Sequence, residues 1–136
     1  MEYLKEIIDY GIIGILVLMS IISLALFLER FFYYRRVDLN SFDSENKLKT
    51  SLTKNLTAIA TIASNAPYIG LLGTVLAIMQ TFVDMSKENM AVEVIMSSLA
   101  LALKTTAVGL LVAIISVIFY NYLSRRVEVL IGEYRG

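Results

Sequence analysis

Three stretches of the chain carry no charged residue: positions 10–28, 55–83 and 105–124. A helix needs about 20 mainly apolar residues, at about 1.5 Å each, to cross the hydrocarbon of a bilayer. All three stretches therefore read as membrane spans, expected over residues 8–32, 58–83 and 94–124. The second is longer than a core of roughly 30 Å requires, and the third is led by the apolar run 94–103, so both are expected to extend beyond the bilayer. The whole chain, 1–136, reads as one all-α integral membrane domain with three transmembrane helices.

Polar residues separate these spans. The segment "DLNSFDSENKLKTSLTKNLT" reads as a short loop or an amphipathic extension of the second span, with Asp43 and Ser44 as possible helix starts. The first span is expected to stay in the mature protein as an anchor, because its leader "MEYLKEIID" is net acidic and its exit is "ERFFYYRR" instead of the small residues of a cleaved signal. Lys and Arg set the orientation. Arg30, Arg35, Arg36, Lys47, Lys49 and Lys54 crowd the first connection, and Arg125, Arg126 and Arg135 follow the third span. Those sides are expected to be cytoplasmic, which leaves the N-terminus periplasmic and the C-terminus cytoplasmic. Tyr and Phe at positions 31–34, 120 and 122 suit the inner interface.

Composition narrows the chemistry. Cysteine and histidine are both absent, which removes thiol chemistry, disulfides, Cys/His metal sites and the side chain that titrates nearest neutrality. Lys and Arg number 12 against 12 Asp and Glu, so no net field attracts nucleic acid. No phosphate-binding loop, dinucleotide fingerprint or nucleophile elbow occurs, so the protein is not expected to be an enzyme or to hold a metal or cofactor.

Small residues mark where membrane helices approach closely, because lipid gives no extra reward for burying leucine on leucine. Gly11 and Gly14 form such a patch on the first span. Ala66, Gly70, Gly73, Thr74 and Ala77 form a stripe on the second, and Ala102, Thr106, Gly109 and Ala113 one on the third. Pro67 reads as a kink or as a helix start. Thr74 and Thr106, each inside a stripe, are candidates to line a narrow, weakly polar pore, although bonding to a carbonyl one turn back is the other reading. No Asp or Glu lies within the uncharged stretches, so a proton path along this chain would need a carboxylate from a partner.

"APYIGLLGTVLAIM" followed by "KTTAVGLLVAIISVIFYNYL" resembles the ExbB/TolQ/MotA proton-channel family. The short N-terminus and short first loop are most similar to its compact ExbB form. The resemblance implies an inner-membrane homopentamer whose second and third spans form a central pore around helices of ExbD. The ExbD aspartate would carry the proton, and the complex would use the proton motive force to energise uptake through TonB and outer-membrane receptors. The family's pore threonines fall on Thr74 and Thr106. A glutamate that many members carry five residues before the threonine of the third span is Leu101 here. Lys104 lies one turn on, at spacings that align Leu101, Lys104, Thr105 and Val108 on one face. Lys104 reads as a lysine snorkelling to the outer interface or as half of an ion pair with a neighbouring subunit or ExbD. A TolQ-like role in the Tol-Pal envelope system and a non-conducting membrane scaffold are the alternatives, and lipid is the expected surroundings.

Overall fold

The structure, a computed structural model, describes residues 2–136. Helix α1 spans Glu2–Arg36, and a 3₁₀ turn, Leu39–Ser41, leads to α2, Glu45–Leu52. Helices α3, Leu56–Lys87, and α4, Val92–Arg135, complete the chain, and no strand occurs among the described residues. Helices α1, α3 and α4 are long and apolar enough to cross a membrane. They run past the expected spans at both ends, and the link from α3 to α4 shrinks to residues 88–91.

α3 and α4 pair antiparallel, and α1 lies across both. The ends of the bundle are termed outer and inner here by the orientation that the arginines and lysines imply. Midway along, Ile12 and Leu16 of α1 pack on Ile62 and Ala66 of α3 and on Val112 and Ala113 of α4. Below them the Ser23 and Ser116 hydroxyls share a buried hydrogen bond of 2.9 Å, which ties α1 to α4 and satisfies both groups away from water. Gly11 and Gly14 depart from expectation: a Cβ at either would meet nothing within 4 Å, so α1 does not pack on its own chain through them. Ile12 and Leu16, on the adjacent face, make that contact instead.

The inner end is built around α2. Ser44 caps it by accepting from the Lys47 amide at 3.2 Å, and Leu48 and Leu52, one turn apart, are fully buried. They join Tyr34, Leu56, Ile59, Leu123, Val127 and Leu130 in one cluster. An eight-residue helix is too short to persist alone, and burial of two leucines, at about 1.5–3 kcal/mol each, is what holds it. The chain then turns at Asn55, whose φ of 71° is left-handed and suits asparagine better than most residues. At this elbow Arg30 is only 4% exposed. Its Nη1 donates to the Ser51 carbonyl at 2.7 Å, and the Tyr34 hydroxyl donates to the Leu52 carbonyl. These are carbonyls that the end of α2 leaves without helical donors.

Pro67 does not start a helix. α3 begins at Leu56 and continues through the proline, about three turns in, so the ring removes the bond that the Ala63 carbonyl would have received and crowds that carbonyl.

Candidate functional site

α3 and α4 touch through backbone. A Cβ added to Gly70 would fall 2.5 Å from the Thr105 carbonyl oxygen and 3.1 Å from the Gly109 Cα. One added to Gly109 would fall 2.6 Å from the Ala66 carbonyl oxygen. Only glycine at both positions permits this approach. Its consequence is to bring carbonyl groups of each helix within reach of short hydroxyls on the other.

Three threonines use that proximity one turn toward the outer end. Thr74 Oγ1 lies 2.8 Å from the Ala102 carbonyl and 3.2 Å from Thr105 Oγ1. Thr105 Oγ1 lies 3.0 Å from the Gly70 carbonyl, and the Thr106 and Thr74 hydroxyls are in direct hydrogen-bond contact. Each hydroxyl has one proton to donate. One assignment satisfies all three: Thr106 donates to Thr74, Thr74 donates to the Ala102 carbonyl, and Thr105 donates to the Gly70 carbonyl. Thr74 also lies 3.4 Å from the Gly70 carbonyl one turn back, so the cross-helix bond is the shorter one. Thr105 is 1% exposed and Thr74 5%, whereas Thr106 is half-buried and forms the surface end of the chain of hydroxyls.

The small-residue stripes meet here. Ala66, Gly70, Gly73 and Thr74 of α3 are buried against Ala102, Gly109 and Ala113 of α4, while Ala77 is only half-buried. On α4 the buried line runs Ala102, Thr105, Gly109, so Thr105 occupies the centre that the sequence reading gave to Thr106. The signal was present, since Thr105 lies three residues after Ala102 and four before Gly109, but Thr106 shows the same two spacings in reverse. Sequence spacing cannot separate them. Leu101, Lys104, Thr105 and Val108 align along α4 as expected, with Thr105 buried against α3 while Leu101 and Lys104 are exposed.

Lys104 finds an acid within its own chain. Its Nζ lies 2.9 Å from Asp9 Oδ2 on α1, and Lys5 Nζ lies 3.4 Å from Asp84 Oδ2 on α3. The two pairs run in opposite sense, so the outer end of α1 is held to both partner helices. They border a cleft of about 430 Å³ lined in part by Ala77, Thr81, Ser98 and Ala102. That cleft reaches the residue whose carbonyl accepts from Thr74. Among the described residues no group of three or more His, Cys, Asp or Glu converges to hold a metal ion.

Chemically, the crossing offers fixed hydroxyls and carbonyls, groups that polarise or pass on a hydrogen bond but do not themselves titrate near neutrality. Residues 40–136 match the family described as the MotA/TolQ/ExbB proton channel family. The biopolymer transport protein ExbB of Aquifex aeolicus is 52% identical over 129 residues, 94% of this chain and 87% of its own length. The biopolymer transport protein ExbB of Helicobacter pylori strain J99 is 46% identical over 136 residues, 99% of this chain and 94% of its own. The Tol-Pal system protein TolQ of Pseudomonas aeruginosa is 43% identical over 91 residues, 66% of this chain and 38% of its own.

Proposed function

Because the chain belongs to the MotA/TolQ/ExbB proton channel family, and is thereby a multi-pass membrane protein, we propose that it is the ExbB-like subunit of a biopolymer transport machine in the bacterial inner membrane. In this reading five copies surround helices of ExbD, and proton flow energises TonB-dependent uptake through outer-membrane receptors. The observation that carries it is the hydroxyl chain Thr106–Thr74–Ala102 carbonyl, set at a glycine crossing in helices that hold no carboxylate along their uncharged stretches. Thr106 is the member a partner's aspartate would meet. Rotation of its hydroxyl would let it donate to the charged acid, with the Thr74 hydroxyl turning from the Ala102 carbonyl to donate to Thr106, or accept from the neutral acid while it goes on donating to Thr74. Protonation then changes how the partner helix is held, and that change is the source of motion.

A TolQ-like role in envelope constriction is the second reading, supported by the Pseudomonas aeruginosa relative. Coverage favours the first, since the ExbB-named relatives match nearly end to end while most of the TolQ chain has no counterpart here. Thr74→Val combined with Thr106→Val is expected to abolish most proton-driven, TonB-dependent uptake while the oligomer still assembles. Undiminished uptake by the double variant would remove the hydroxyl chain from the mechanism.

A further inference from the structure

At the inner end of the groove between α1 and α4 lies a cleft of about 380 Å³, lined by Phe31, Tyr34, Arg35, Tyr122 and Arg126. Its lining holds two guanidinium groups and no carboxylate. Arg30, Arg125 and Arg135 are each paired with a glutamate, whereas neither Arg35 nor Arg126 has an acidic partner within 4 Å among the described residues. Arg35 instead sits 5.6 Å from the centre of the Phe31 ring, which keeps its charge at the mouth of the cleft. We propose that this cleft binds the phosphate of an anionic phospholipid from the arginine-rich leaflet.

The groove beneath it decides between a lipid and a free anion. On α1, Leu24, Leu28, Phe31 and Arg35 follow one another at helical spacings of three and four, and on α4 so do Ile115, Ile118, Tyr122 and Arg126. The Phe27–Phe119 stack, 4.3 Å between centroids, forms the floor between these two lines, and the Phe31 and Tyr122 rings, 6.1 Å apart, close its inner end. Leu24, Leu28, Ile115 and Ile118 are exposed. The surface therefore offers an apolar track leading up to two guanidiniums at the depth where headgroup phosphates lie, the pattern of a basic pocket between transmembrane helices. Two full positive charges outweigh the partial negative charge at the end of α1. With no acid in the lining, nothing answers the ammonium of a zwitterionic headgroup.

The test is native mass spectrometry of the full-length protein in detergent, titrated with phosphatidylglycerol, phosphatidylcholine or inorganic phosphate. Phosphatidylglycerol is expected to bind at least about tenfold more tightly than phosphatidylcholine, and Arg35→Gln with Arg126→Gln to lose about tenfold of that affinity. A charge-matched control, Arg36→Gln with Arg125→Gln, is expected to bind as the parent does. Equal binding of phosphatidylcholine would overturn the proposal, as would displacement of the lipid by millimolar phosphate or an equal loss in the control. Should the glutamine pair fail to assemble, Arg35→Lys with Arg126→Lys keeps the charge and removes the planar fork. It is expected to lose roughly threefold, and no loss would overturn the proposal.

Discussion

At Gly70 the space a methyl would need is already occupied by backbone, which cannot swing aside as a side chain can. Gly70→Ala is expected to push α3 and α4 apart, break the Thr105 bond to the Gly70 carbonyl, and lower the melting temperature of the detergent-solubilised protein by several degrees or more. Gly14→Ala, which meets open space, is expected to leave it unchanged or raise it slightly through helix propensity, worth at most about 1 kcal/mol. Equal melting temperatures for the two variants would refute the close crossing. Gly70, Gly73 and Thr74 were legible as a contact stripe from their spacing alone. What the spacing could not supply was the choice between Thr105 and Thr106, because both lie at helical intervals from Ala102 and Gly109 and only the rotation of α4 decides. Gly11 and Gly14 show the converse limit, since small residues mark permission for close approach without naming the partner.

Among the elements, α2 had the clearest start and the least legible purpose. Asp43 and Ser44 were legible as helix starts, but the segment read as a loop or an extension of the second span, and nothing local said that it would form a separate helix, that Leu48 and Leu52 would bury against residues near position 127, or that Arg30 and Tyr34 would cover its final carbonyls. Those contacts join positions far apart in sequence. At the other end of α2, Arg135 donates to Glu45, Nη2 to Oε2 at 3.1 Å, and this guanidinium holds the Glu45 carboxyl below the usual glutamate range. A carboxyl whose pKa is lowered by folding stabilises the folded state in full above its unfolded pKa, about 4.3, and loses that contribution as the pH falls through the lowered value. The pair is exposed, so the effect is small and local. Amide exchange in α2, corrected for intrinsic rate, is expected to stay constant from pH 7 to 5 and to accelerate below pH 4. Glu45→Gln should flatten that rise, and an unaltered profile in the variant would rule the pair out as its cause.

For the whole molecule, the three long apolar helices were legible because charge avoidance is a property of the chain against the bilayer, requiring no knowledge of contacts. The outer clamp was not, since Asp9 and Lys104 are separated by most of the chain and meet only once α1 lies across the hairpin. A subunit whose membrane stretches lack a carboxylate is expected to conduct poorly by itself. Liposomes holding the purified chain should show proton flux close to the protein-free leak, with a clear rise when a single-span partner bearing a membrane aspartate is co-reconstituted. Equal flux in both preparations would mean that the chain is a scaffold or conducts by another route.

The contact between Gly70 and Gly109 also fixes how the long hairpin can move. With backbone resting on backbone, no side chains remain at that point to repack, and the helices can change their mutual angle there more readily than they can slide. Gly109 stands about 26 Å from the outer end of α4 and about 39 Å from its inner end, at about 1.5 Å per residue. Rocking α4 rigidly by 1 Å at the outer end would carry its inner end roughly 1.5 Å the opposite way, making the crossing a fulcrum that amplifies displacement toward the inner arm at the expense of force.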